Sequence, residues 1–96
     1  MKAVLITYNT AIDEDINQAL ASAGIDSFTK FPNTLGKGKI SEPHLNSEVW
    51  PETNCCTLVI TDPEKAAKLM DIIKEMRTRL GPEGVKAFMW SIEQTT

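Results

Sequence analysis

Apolar and polar residues follow one another along this chain in blocks of two kinds, and the blocks predict a regular order of elements. Lys2 to Tyr8 is aliphatic and β-branched, is bounded by polar residues, and reads as a strand. Ile12, Ile16, Ala19, Leu20 and Ala23 then recur at helical spacing. Thr10 offers a capping oxygen ahead of them. Asp13, Glu14 and Asp15 crowd the first turn, where negative charge suits the helix dipole. Gly24 is a suitable stop. Ser27 to Phe31 is a short strand ended by Pro32. Further on, Cys55 to Ile60 is a nearly continuous apolar run, which predicts a strand covered on both faces. Asp62 caps a second helix, and Pro63 takes its first position, where a missing N–H costs nothing. Ala66, Leu69, Met70, Ile73, Met76 and Leu80 form the apolar stripe of that helix, and Gly81-Pro82 ends it. Lys86 to Ile92 is the last strand, with Phe88, Trp90 and Ile92 on one face.

Two strand-helix-strand halves joined by a long loop predict an α+β fold. The expected form is a ferredoxin-like βαββαβ sandwich, a four-stranded antiparallel sheet with two helices on one face. The length suits one domain, residues 1–96. The loop, at about 33–53, is polar and has no clean period. Some twenty such residues are uncommon in a compact domain and are usually functional or disordered. Two helices cover only one face of the sheet. The third strand is apolar on both, and Ala87 and Met89 lie opposite the aromatic residues of the fourth. The open face is therefore expected to be buried by further copies of the chain, most simply in a closed ring.

Charge narrows the function classes. With 10 basic and 13 acidic residues the net charge is −3, which argues against a nucleic-acid binder that neutralises phosphates. No apolar run reaches the ~18 residues of a membrane span, so no membrane insertion is expected. The apolar run at the start is too short for a secretory signal. Cys55 and Cys56 are strand neighbours that point to opposite faces, so they are not expected to pair, and a reduced, cytoplasmic setting follows. At least one of them is expected in the core.

Candidate chemistry lies in two Gly/Lys stretches. Gly36-Lys37-Gly38-Lys39 follows the second strand. Glycines let backbone N–H groups approach an anion, and lysines add point charges. Alone, the same residues read equally as a solvated turn. Gly81-Pro82-Glu83-Gly84-Val85-Lys86 joins the second helix to the last strand, at the corresponding point of the other half. Gly81 has a structural role as a helix stop, and Arg77 and Arg79 suit a helix C-terminus. In a ring, these stretches from neighbouring subunits can face one another across one anion. His44, with Glu42, Glu48 and Glu52 nearby, lacks metal-ligand spacing, so no metal site is assigned. Trp50 reads either as a docking surface or as an anchor on its own domain. Ser, Cys and His form no triad pattern, and an enzyme is not expected.

Several of these stretches together resemble the PII signalling superfamily, as a divergent member. Ala23-Gly24-Ile25 with Thr29 and Gly36-Lys37-Gly38 is similar to the family's run from helix one into the base of its T-loop. Arg77-Thr78 followed by Gly81-Pro82-Glu83-Gly84-Val85-Lys86-Ala87-Phe88 resembles its B-loop, with Glu83 at the acidic position and Val85 as an extra residue. The resemblance implies a homotrimer of ferredoxin-like subunits that senses a small anionic ligand at subunit clefts. That ligand would be an adenine nucleotide, ATP, ADP or AMP, with no cofactor required. Gly36, Lys37, Gly38, Lys39, Gly81, Gly84 and Lys86 would contact it. The long loop, with His44 and Trp50, would signal to a protein target, which the family allows to be a membrane protein. The loop holds no tyrosine, so nucleotidylation there is not expected. CutA-type trimers are relatives of the same fold. They supply the alternative of a metal-binding or nucleotide-independent interaction module. RNA-recognition modules share the element order but need aromatic residues on central strands, which Cys55 to Ile60 lacks.

Overall fold

A computed structural model of the chain describes residues 1–35, 54–81 and 84–96. Its elements run β1 (Lys2–Asn9), a 3-10 turn (Thr10–Ile12), α1 (Asp13–Ser22), β2 (Thr29–Thr34), β3 (Asn54–Thr61), α2 (Pro63–Leu80) and β4 (Val85–Ser91). The strands form one sheet in the order β2-β3-β1-β4, and every neighbouring pair is antiparallel. This is the ferredoxin-like arrangement expected from the element order.

Local signals set the helix ends. The Asp62 carboxylate accepts from the Lys65 N–H at 2.8 Å, ahead of Pro63, so α2 starts as its sequence predicts. Gly81 closes it with φ +88°, a backbone setting that favours glycine, and donates its N–H to the Arg77 carbonyl at 2.9 Å. Gly24 ends the first helix with φ +77°. The start of that helix differs from expectation. A 3-10 turn precedes α1, and Asn9 caps that turn: its side-chain oxygen accepts from the Ala11 N–H at 2.7 Å, while α1 itself has Ile12 at its N-cap position and no side-chain cap. Asn and Thr are both good caps, and the choice falls to the residue whose backbone is still extended.

β2 is also displaced from its predicted span. It begins at Thr29 and runs through Pro32 to Thr34. Pro32 is tolerated because β2 is an edge strand, where a missing donor breaks no ladder on the outer side. Between Phe31↔Cys56 and Thr34↔Asn54 it advances three residues while β3 advances two. The extra residue makes a bulge, with Asn33 at φ +58°. The strand therefore takes Asn33 and Thr34 from the predicted loop, and 36–53 lies outside the described residues.

The core lies between the helices and one face of the sheet. Val4, Ile6 and Tyr8 of β1, Cys55 and Val59 of β3 and Val85 of β4 meet Ile16, Ala19 and Leu20 of α1 and Ala66, Leu69, Ile73 and Met76 of α2. These are the predicted helical stripes, except that Ile12, in the 3-10 turn, and Met70 are only partly buried and Leu80 is exposed. Among the described residues, no element covers the other face. Cross-strand partners share a face, so Phe31–Cys56–Thr7–Lys86, Leu58–Leu5–Phe88 and Ile60–Ala3–Trp90 form rows across it. Phe31 is 45% exposed, Ile60 40%, Phe88 51% and Trp90 46%. The apolar run of β3 is thus covered on one side only within the subunit.

Candidate functional site

Four chain segments converge at one end of the sheet. The last residue of β1, Asn9, pairs with the first of β3, Asn54, which also pairs with the last of β2, Thr34. Val85, the first residue of β4, pairs with Tyr8. The root of the long loop, the β1–α1 junction and the turn before β4 therefore share one end. They do not share one edge. The loop root is at the β2 edge and the Gly/Lys turn at the β4 edge, three strand spacings or about 14 Å away.

Of the predicted ligand contacts, Gly81, Gly84 and Lys86 are described, while Gly36, Lys37, Gly38 and Lys39 lie outside the described residues, as do His44 and Trp50. Lys86 is exposed on the open face, in the row with Thr7 and Cys56 and next to the turn. It offers a point charge with three donors at the sheet end. Gly84 has a packing role that the sequence did not reveal. A Cβ there would stand 2.9 Å from Leu80 Cβ and 3.3 Å from the Leu80 carbonyl oxygen. Its N–H bonds to the Gly81 carbonyl at 3.2 Å and that of Gly81 to Arg77, so both donors are engaged inside the turn. The Thr78 hydroxyl donates to the Glu75 carbonyl at 2.6 Å, within the helix. Among the described residues no cluster of three or more His, Cys, Asp or Glu can hold a metal. Nor, among them, is any helix long and apolar enough to cross a membrane.

Directly beneath this end, on the helix face, lies a polar network that the sequence did not foretell. The Tyr8 hydroxyl donates to Asp13 Oδ1 at 2.6 Å and lies 2.9 Å from Thr57 Oγ1 and 3.2 Å from Cys55 Sγ. Lys30 Nζ reaches both Asp13 oxygens, at 2.9 and 3.0 Å, and donates to Asn17 Oδ1 at 3.0 Å. Burial, followed by the hydrogen bond to Asp13, pushes the Tyr8 phenol well above its ordinary range, so it stays protonated as a donor. That donation, aided by Lys30, holds the Asp13 carboxyl below the usual aspartate range despite partial desolvation. Asp13 is thus more than a first-turn charge: it joins α1 to β1 and β2. The one sequence hint is that Tyr8, Cys55 and Thr57 occupy inward-facing positions of their strands. Both cysteines are free, Cys55 buried as expected for one of them, and Cys56 half-buried.

Neither a protein-family model nor a curated protein matches the sequence. Solved structures do. CPII of Thiomonas intermedia K12 bound to ADP and bicarbonate superposes with TM-score 0.73 at 20% identity, covering 95% of this chain and 84% of that one. The same protein with ADP, AMP and bicarbonate, described as a nitrogen regulatory PII-like protein, gives 0.74 at 20%, with the same coverage. A Thermus thermophilus structure assigned to the PII-like signalling proteins gives 0.70 at 19%, covering 95% and 85%. The resemblance found in the loop motifs is borne out at the level of architecture: this chain has the fold of the PII-like proteins.

Proposed function

We propose that residues 1–96 act as one domain of a divergent PII-like regulatory protein. It assembles as a homotrimer, senses a small anionic ligand in the clefts between subunits and signals to a protein target through the long loop. The ligand class is the adenine nucleotides, ATP, ADP or AMP. Lys86 supplies charge from the β4 edge, and Gly81 and Gly84 present no side chain at the two ends of that turn. Gly36, Lys37, Gly38 and Lys39 approach from the loop base of the next subunit, while His44 and Trp50 face the target. The protein works in the cytoplasm and without catalysis.

The observation that carries this reading is that the root of the long loop and the turn before β4 stand at one end of the sheet but on opposite edges. Such a layout makes sense where a neighbour completes the site. Support also comes from the structural likeness to CPII, which has been crystallised with ADP, AMP and bicarbonate. A second reading, a trimeric interaction module without nucleotide, draws on Gly84, whose closeness to Leu80 and engaged N–H explain its presence by packing alone. Thermal unfolding against ATP, ADP, AMP, cyclic AMP, bicarbonate, 2-oxoglutarate and divalent metals separates the two. A ligand of the native state stabilises it by about 2.7 kcal/mol at a hundred times its Kd. A nucleotide-specific rise of the midpoint is expected. An unmoved midpoint with all of them in a stable trimer would favour the module, and a shift with metal alone would favour the CutA-like alternative.

A further inference from the structure

β2 is the strand least tied to the core. None of its six residues is buried. Pro32 has no N–H to give, and the bulge between Phe31 and Thr34 interrupts its ladder with β3. A strand held this weakly belongs to the low-stability end of a fold, where segments open without global unfolding. Its firmest side-chain tie to the body is Lys30, which is inward-facing opposite Thr57. The ammonium meets both oxygens of Asp13 and the amide oxygen of Asn17, and lies 5.6 Å from the centre of the Phe28 ring.

The receiving end of this contact is fixed and the reaching end is not. Asp13 is held by the Tyr8 hydroxyl, which is itself set between Thr57 and Cys55 of β3, inside the core. Lys30 arrives on a flexible stem from an edge strand. We infer that Lys30 and Asp13 form a latch that keeps β2 paired on β3, so that β2 opens as a local unit when the latch is broken. The inference is independent of any ligand.

Backbone amide hydrogen exchange of the full chain tests it. In Lys30→Met, which keeps the aliphatic stem, the β3-paired amides of Thr29–Thr34 are expected to exchange about tenfold faster. That is the effect of one charge-assisted hydrogen bond of ordinary strength. Amides at Val4, Ile6, Val59 and Leu69 exchange by global unfolding, which also breaks the contact, so they are expected to accelerate by no more than the same factor and to stay well slower than the β2 amides. Asp13→Asn, which keeps an oxygen for Tyr8, should accelerate the β2 amides likewise, and the double variant should exceed neither single one by much. Unchanged β2 amides in Lys30→Met would overturn the inference. So would β2 amides that exchange as slowly as the core amides in Lys30→Met, or fully additive effects in the double variant.

Discussion

The two faces of this sheet carry similar amounts of hydrophobic side chain and meet very different fates. On the helix face Val4, Ile6, Val59 and Val85 are sealed by α1 and α2. On the other, Phe31, Ile60, Phe88 and Trp90 stand in open rows. Contiguous exposed apolar surface of this kind marks an interaction site more often than chance. The difference teaches that the chain's own helices close one face of the sheet, whereas none of the described elements closes the second. The polar end of that same face, with Lys86 and Thr7, is where the turn before β4 meets the sheet.

Substitutions on the two faces should separate accordingly. Leu69→Ala removes a fully buried side chain from the sealed layer and should cost about 2–5 kcal/mol of unfolding free energy, read by chemical denaturation. Gly84→Ala sets a methyl against Leu80, so overpacking should cost about 1–3 kcal/mol by the same measurement. A neutral result would show that the turn can give way. Phe88→Ser on the open face should leave the helical circular dichroism intact while shifting sedimentation towards smaller species. Each buried aromatic lost should weaken association by about 1.5–3 kcal/mol. An unchanged oligomer would place the covering surface elsewhere.

The smallest effect concerns pH. Asp13 titrates below its ordinary range in the folded chain, chiefly because Tyr8 donates to it. A depressed folded value means stability that is present above the ordinary aspartate range and is lost as pH falls through the folded value. Tyr8→Phe should therefore be less stable than the parent at neutral pH, with the gap narrowing in acid. A gap constant with pH would mean that the hydroxyl serves Thr57 and Cys55 rather than the Asp13 charge.

Much of the fold was legible in sequence because its signals are local. Asp62-Pro63 starts a helix by chemistry within one turn, and Gly81 stops it. Pro32 misled for the opposite reason: whether proline ends a strand depends on edge position, which is a property of the sheet and not of the neighbouring residues. The Tyr8 network was out of reach because its partners Cys55 and Thr57 are 47 and 49 positions away. Of the residues the sequence singled out, Gly81, Gly84 and Lys86 stand at the end of the sheet that also holds the loop root, while Gly36 to Lys39 lie outside the described residues. That the loop root and the turn before β4 lie on opposite edges could be known only from the strand order β2-β3-β1-β4. Gly84 shows how a motif residue carries a packing role that sequence cannot distinguish from a binding one.

The central claim is tested most directly by calorimetric titration of ADP into the parent protein and into Lys86→Ala, with the oligomer checked by sedimentation in both. The account predicts saturable binding to the parent and at least about tenfold weaker binding to the variant, as loss of a charge-assisted contact implies, with the assembly unchanged. No binding to the parent, or equal affinity in the two proteins, would contradict it.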